Sequence, residues 1–428
     1  LKCFGRKSKL NRKIRELAGD ELFRYDHILT SHAQSTGGLS ELMVAAAGHV
    51  RRNVKTSNAR ESVLQHVAVS VIAPLHFAYV LWILRRAHER ELNRLYFLSR
   101  DSQPLLRIAR QLAGPCGVSS ELRYLYASRQ TFNRTVIGEK SHESWLWQNI
   151  NEGTTTRELL DRIGITPEEI GSQLELSGFT KNTWSDPITG SGQLKLKAIL
   201  ENEPVRNLVQ TRSLEQRTML LRYLEQEKLL EGSNNACVDI GWNGTSHSAL
   251  SSLLKGSTGN SIHGFYFGLR KGHRNWEKSR EAYFFDLGRE TGFRSLTPMA
   301  WRPGDRIISL IETFCPADHG TVCDFIEDGG SVEPVLRQGW EQVITAWGLP
   351  IIRRSVDVFT EYLSGRLGEV DPNADMRPSI AEILTEFWTN PTHAEAAVWG
   401  NFPVEDGQGH ETYLSRMAAP FCWSYPLR

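Results

Sequence analysis

Three short polar turns carry the side chains of this sequence best suited to gripping an anion. They are Ser99-Arg100-Asp101-Ser102, Ser128-Arg129, and the run from Asp239 through Gly241, Trp242, Asn243, Gly244 and Thr245 to Ser246. Each follows a brief apolar run, LYFL, LRYLYA or ACVDI. The third turn is the most informative. Its glycines let the backbone approach a ligand closely, and free amides at the start of a following helix form a positive nest. Thr245, Ser246 and Ser248 add hydroxyl donors. That chemistry suits a phosphate monoester. Asp239 stands just before the nest, where it would repel a phosphate it touched. It is better suited to accept hydrogen bonds from sugar hydroxyls beside that phosphate. Arg100 and Arg129 carry guanidinium forks that match a second phosphate group bidentately.

Further along, Glu312 and His319 lie in LIETFCPADHGTV and add a carboxylate and an imidazole. Each element also has a structural reading. Arg100 and Asp101 read equally well as an ion pair capping a helix, and Trp242 as packing for its turn. Glu312 would then be a carboxylate satisfied by backbone amides, and His319 a loop histidine. The functional reading rests on the three turns taken together.

The elements that position these turns follow a strand, polar turn, helix, strand rhythm, the mark of a parallel sheet. Strands are expected over Leu95–Leu98, Leu122–Ala127, Ala236–Ile240 and Ile262–Leu269. Helices are expected over Gln103–Leu112, with Pro104 in its first turn, and over about 246–254. In open parallel sheets ligands collect outside the carboxyl ends of strands, so the three turns should share one rim. About 141–231 reads as a helical insertion, with a helix start at Thr166-Pro-Glu-Glu. Residues 1–65 read as an N-terminal helical extension, 66–330 as the α/β core, and 331–428 as a mostly helical C-terminal region.

Charge is nearly balanced, with 50 Lys and Arg against 49 Asp and Glu, which argues against a chain-wide nucleic-acid footprint. Six cysteines are scattered without a CxxC pair, so neither a disulfide framework nor a zinc site follows. A reducing, cytoplasmic setting is expected. Leu1 opens a basic stretch with no apolar signal core behind it, and the chain reads as a piece of a longer polypeptide. Val67–Leu84 approaches membrane-spanning length but is interrupted by Ser70, Pro74 and His76. A buried helix before a strand explains it more simply. Arg85 and Arg86 would still allow a peripheral position at the inner face of a membrane.

The order LYFLSRDSQPLL, LRYLYASRQTFN, VDIGWNGTSHSAL, IHGFYFGL, IETFCPADHGTV resembles a bacterial family of capsule and O-antigen gene clusters, with a weaker echo in FWTNPTHAEAAVWGNFPVEDGQGH. Its members include transferases that use phosphoribosyl pyrophosphate to add ribofuranose, often coupled to HAD-type phosphatases. The resemblance implies a phosphoribosyltransferase-like, Rossmann-like α/β fold. It also implies transfer of a 5-phosphoribosyl group to a glycan acceptor, free or lipid-linked, with a separate or fused phosphatase removing the phosphate. Carried over, Asn243 to Ser246 would hold the 5-phosphate, Asp239 the ribose hydroxyls, and Arg100 and Arg129 the pyrophosphate. Asp101 is the first choice of base and Glu312 the second. Mg²⁺ is expected, with Asp239 or Asp101 as candidate ligands. The usual pair of adjacent acids is here Asp239 alone. A HAD phosphatase needs an Asp-x-Asp nucleophile and acid, which neither Asp26-His-Ile nor Asp239-Ile-Gly supplies. Two rivals remain. Asp-x-Gly-x-x-Gly-Thr also resembles the phosphate loop of sugar kinases, and the chain could serve as a non-catalytic scaffold in a polysaccharide assembly complex.

Overall fold

Five apolar runs pair into one parallel sheet in this computed structural model, which describes residues 23–135, 137, 146–147, 150, 153–232, 234–270, 279–286, 306–371, 373–406 and 413–418. The strands are β1 (Arg94–Leu98), β2 (Glu121–Leu125), β3 (Asn235–Asp239), β4 (His263–Leu269) and β5 (Arg280–Asp286). Their spatial order is β2-β1-β3-β4-β5, and every neighbouring pair is parallel. The inner strands β1, β3 and β4 are almost wholly buried because both faces of the sheet are covered, while the edge strands β2 and β5 begin with charged residues. Alternate residues point to opposite faces. Leu95 and Phe97 of β1 enter one core with Ala236, Val238, Phe265 and Phe267; Tyr96 and Leu98 enter another with Leu125 and Cys237.

The first core joins both ends of the described chain, from Tyr25 to Phe402. It gathers the helices Arg24–Ser31 and Leu39–Asn53, the long helix α1 (Ala59–Glu89), α2 (Gln103–Leu112), and the C-terminal helices Leu349–Ser364 and Arg377–Thr389. By length and composition α1 is apolar enough to cross a membrane, but 94% of its most apolar window is buried inside the molecule. It is a core helix. Its Tyr79 hydroxyl donates to the Asp239 carbonyl at 2.7 Å, which ties the end of β3 to the layer beneath it.

The second core lies on the opposite face. It takes in Phe132 of α3 (Arg129–Arg134), the helix Glu203–Gln226, α4 (Thr245–Thr258) and a hairpin of β6 (Val322–Asp328) with β7 (Ser331–Leu336). A third cluster, centred on Trp184, is built from Leu146 to Val209 between β2 and β3. There the Thr166-Pro-Glu-Glu signal differs from expectation. Glu169 accepts from the Thr166 amide at 2.7 Å, as a helix start requires, yet it also takes Arg212 at 2.8 Å. The chain stays in a turn, and the helix begins only at Gly171, after buried Ile170.

Candidate functional site

Because β1 connects outward to β2 while β3 continues to β4 on the other side, the crevice between their carboxyl ends is a topological switch point. Register makes the strand ends level: Leu98 lies opposite Leu125 and Phe97 opposite Val238. The turns that follow therefore meet at one rim, and serines stitch them together. Ser99 Oγ donates to the Ala127 carbonyl at 2.7 Å and accepts from the Ala127 amide at 2.8 Å. Ser102 Oγ donates to the Val238 carbonyl at 2.9 Å. Ser128 caps α3, accepting from the Thr131 amide at 3.0 Å. These hydroxyls fix the turns in place and are engaged in doing so.

The rim encloses a cavity of about 220 Å³. Both arginines line it, as do all three candidate acids, Ser99, Ser128 and the whole stretch Gly241–Ser246; Leu98, Ala127 and Thr321 complete the wall. Three of the residues singled out from sequence, Ser102, Ser248 and His319, lie outside its wall. Ser102 is buried beneath the turn. His319 stands behind the wall, where its Nδ1 donates to the Gly320 carbonyl at 2.8 Å and its Nε2 accepts from the Tyr124 hydroxyl at 2.7 Å.

One pole of the cavity is the glycine turn. Gly241 has φ +145°, and a side chain there would strike the Gly268 carbonyl. Gly244, at φ +64°, precedes α4 in the left-handed conformation. The first amides of α4 have no intrahelical acceptor and face an anion favourably. Behind them sits Arg280, reached only by folding and without a local sequence signal. Its Nη1 donates to the Asn243 carbonyl at 3.4 Å and its Nη2 to Ser248 Oγ at 3.0 Å. Ser248 in turn donates to the Gly244 carbonyl at 2.9 Å, so its hydroxyl serves the turn. Gly244→Ala is expected to destabilise the fold by about 1–3 kcal/mol, since a left-handed alanine is strained and its methyl displaces Arg280. Chemical denaturation checks this.

The other pole holds the arginines. Arg100 pairs with Glu405, and its guanidinium lies over Trp340 at 4.8 Å from the ring centroid. The sequence-level pairing of Arg100 with Asp101 is thus replaced by a partner from the C-terminal hairpin of β8 (Pro403–Asp406) and β9 (Tyr413–Arg416). Arg129 starts α3, is exposed, and has no ion-pair or hydrogen-bond partner among the described residues.

The three acids line the same cavity. Burial, reinforced by nearby Glu312 and Asp239, pushes the Asp101 carboxyl up to about 7, while Arg100 and Arg129 oppose the shift. Burial likewise raises Asp239 to about 6, against amide hydrogen bonds from Ile240 at 2.8 Å and from Gly241. Glu312, on α5 (Arg306–Thr313), accepts from Trp242 Nε1 at 2.9 Å. Trp242 itself stacks on Phe285, with ring centroids 5.8 Å apart. Two carboxyls with raised pKa values beside two guanidinium groups can exchange a proton near neutral pH. Among the described residues, no group of three His, Cys, Asp or Glu side chains is arranged to hold a metal by itself. Mg²⁺ is often held by one or two carboxylates together with substrate phosphate oxygens, and Asp101 and Asp239 offer that smaller set.

The fold and pocket define an α/β protein, consistent with a Rossmann-like sheet, with a ligand crevice at its switch point. No protein-family model matches the chain, and no curated protein matches it.

Proposed function

We propose that this pocket binds phosphoribosyl pyrophosphate and transfers its 5-phosphoribofuranosyl group to a sugar hydroxyl of a bacterial surface polysaccharide. The observation that carries this reading is one cavity lined by a glycine turn at a helix start, two arginines and three carboxylates. The Asn243–Ser246 turn takes the 5-phosphate, Asp239 orients the ribose hydroxyls, and Arg100 and Arg129 take the pyrophosphate. The bond from C1 to the pyrophosphate oxygen breaks as the acceptor oxygen attacks the opposite face, which inverts α to β. Guanidinium groups stabilise the charge that gathers on the leaving oxygen. Asp101 accepts the proton of the acceptor hydroxyl, with Glu312 as the second candidate. Mg²⁺, when bound with the donor between Asp101 and Asp239, would neutralise further phosphate charge.

The phosphoribosyltransferase-like assignment of the sheet belongs to this proposal. So do a cytoplasmic location, a free or lipid-linked glycan acceptor, and a phosphatase partner that removes the 5-phosphate. Against the sugar-kinase rival, Gly244 leads into a 14-residue helix rather than the second strand of a hairpin. The deciding experiment is pyrophosphate release with this donor and a panel of synthetic or lipid-linked sugars. Acceptor-dependent release is expected. Failure of calorimetry to detect donor binding, with or without Mg²⁺, overturns the proposal in favour of a scaffold, and turnover of ATP with simple sugars overturns it in favour of a kinase.

A further inference from the structure

We infer that Glu405 is a positioning residue for Arg100, holding its guanidinium against the pocket wall and away from Asp101; the inference rests on the donor reading above. Glu405 lies on β8, and its side chain is 1% exposed. One carboxylate oxygen, Oε2, accepts from Arg100 Nη1 and from Thr321 Oγ1, the latter at 3.1 Å. The other, Oε1, accepts from Arg337 Nη1 at 3.1 Å, and the Arg337 side chain is also 1% exposed. Arg100 is therefore fixed at one edge by the carboxylate and on one face by the Trp340 ring.

This arrangement does two things. A guanidinium has five N–H donors, and a tether at Nη1 leaves the others for an incoming anion. Because Glu405 is shared between two arginines, it does not cancel the charge of Arg100 outright. Without it, the carboxylate within reach of the same guanidinium field is Asp101, which also faces Glu312, Asp239 and Arg129. An Arg100 collapsed onto Asp101 would deprive the donor of a ligand and the acceptor of its base. His319, which also feels Arg100, is held neutral by burial and does not compete.

The test compares wild-type protein with Glu405→Gln, which keeps the shape and removes the charge. Calorimetry with inorganic pyrophosphate is expected to show binding weakened about tenfold, the loss of one well-placed charged contact. Unchanged affinity in a folded Glu405→Gln protein overturns the inference. If that variant does not fold, Thr321→Val releases one Glu405 contact and is expected to weaken pyrophosphate binding about twofold to threefold; no change overturns it equally. Nitrogen-15 NMR of the Arg100 guanidinium reads the positioning without any donor. Hindered rotation in the wild type, freed in Glu405→Gln, supports it, and free rotation in the wild type overturns it. Absence of donor binding by a wild type with hindered Arg100 rotation would defeat the donor reading alone.

Discussion

Asp101→Asn is expected to lower turnover by about 10²- to 10⁴-fold while making the protein harder to melt at pH 8. Both effects come from one carboxyl. Its folded pKa of about 7 lies above the ordinary 3.8, so the folded state binds the proton more tightly than the unfolded chain does. The stability this provides is complete below about pH 4 and is lost as pH rises through 7, leaving an unfavourable buried charge. Asparagine has no such charge. The variant and the wild type should therefore melt together at pH 4, and their separation should open between pH 4 and 7. At pH 8 the gap should reach about 2 kcal/mol once screening by the pocket's solvent is allowed for. Melting curves across that range, run beside turnover measurements, check both halves. Equal melting at pH 4 and pH 8 would remove the basis for a proton acceptor at this position.

Arg129→Ala is expected to weaken donor binding about 10- to 100-fold with little effect on folding. The side chain is exposed at the start of a short helix and has no partner among the described residues, so its loss disturbs no internal pair. Its charge also lowers the Asp101 and Asp239 carboxyls. Removing it should raise both, moving the acid limb of the pH profile upward. Calorimetric affinity for the donor, with a pH series of kcat/KM, checks both effects. Wild-type affinity in Arg129→Ala would show that pyrophosphate is held elsewhere.

The parts of this fold legible in the sequence are those whose signals are local. β1, β2, β3 and β4 announce themselves as apolar runs that stop at a polar or glycine turn, and α2 matches its expected span, Gln103–Leu112. From those elements alone the three turns could be expected at one rim, since parallel strands end on the same side. The β6–β7 hairpin also carries a local signal: Asp328-Gly329-Gly330-Ser331 gives a two-residue turn with φ of +57° and +91°. β5 was missed because REAYFFD starts with two charged residues and alternates poorly. Arg280 and Glu405 are a different case. Nothing around Arg280 distinguishes it from a surface charge, and the echo that contains Glu405 assigns that residue no role; only the packing of β5 behind the nest and of β8 against Thr321 gives them one. The expectation of a mostly helical C-terminal region overlooked β8, the strand that carries Glu405.

The 305 positions separating Arg100 from Glu405 set a timetable for the growing polypeptide. At synthesis rates of about 5–20 residues per second, the arginine waits roughly 15–60 s for its carboxylate to be made. The sheet can assemble in that interval, but the pairing that holds Arg100 at the cavity wall cannot be made. A ribosome-stalled chain ending before Pro403 should thus hold folded strands while Arg100 still lacks its carboxylate partner.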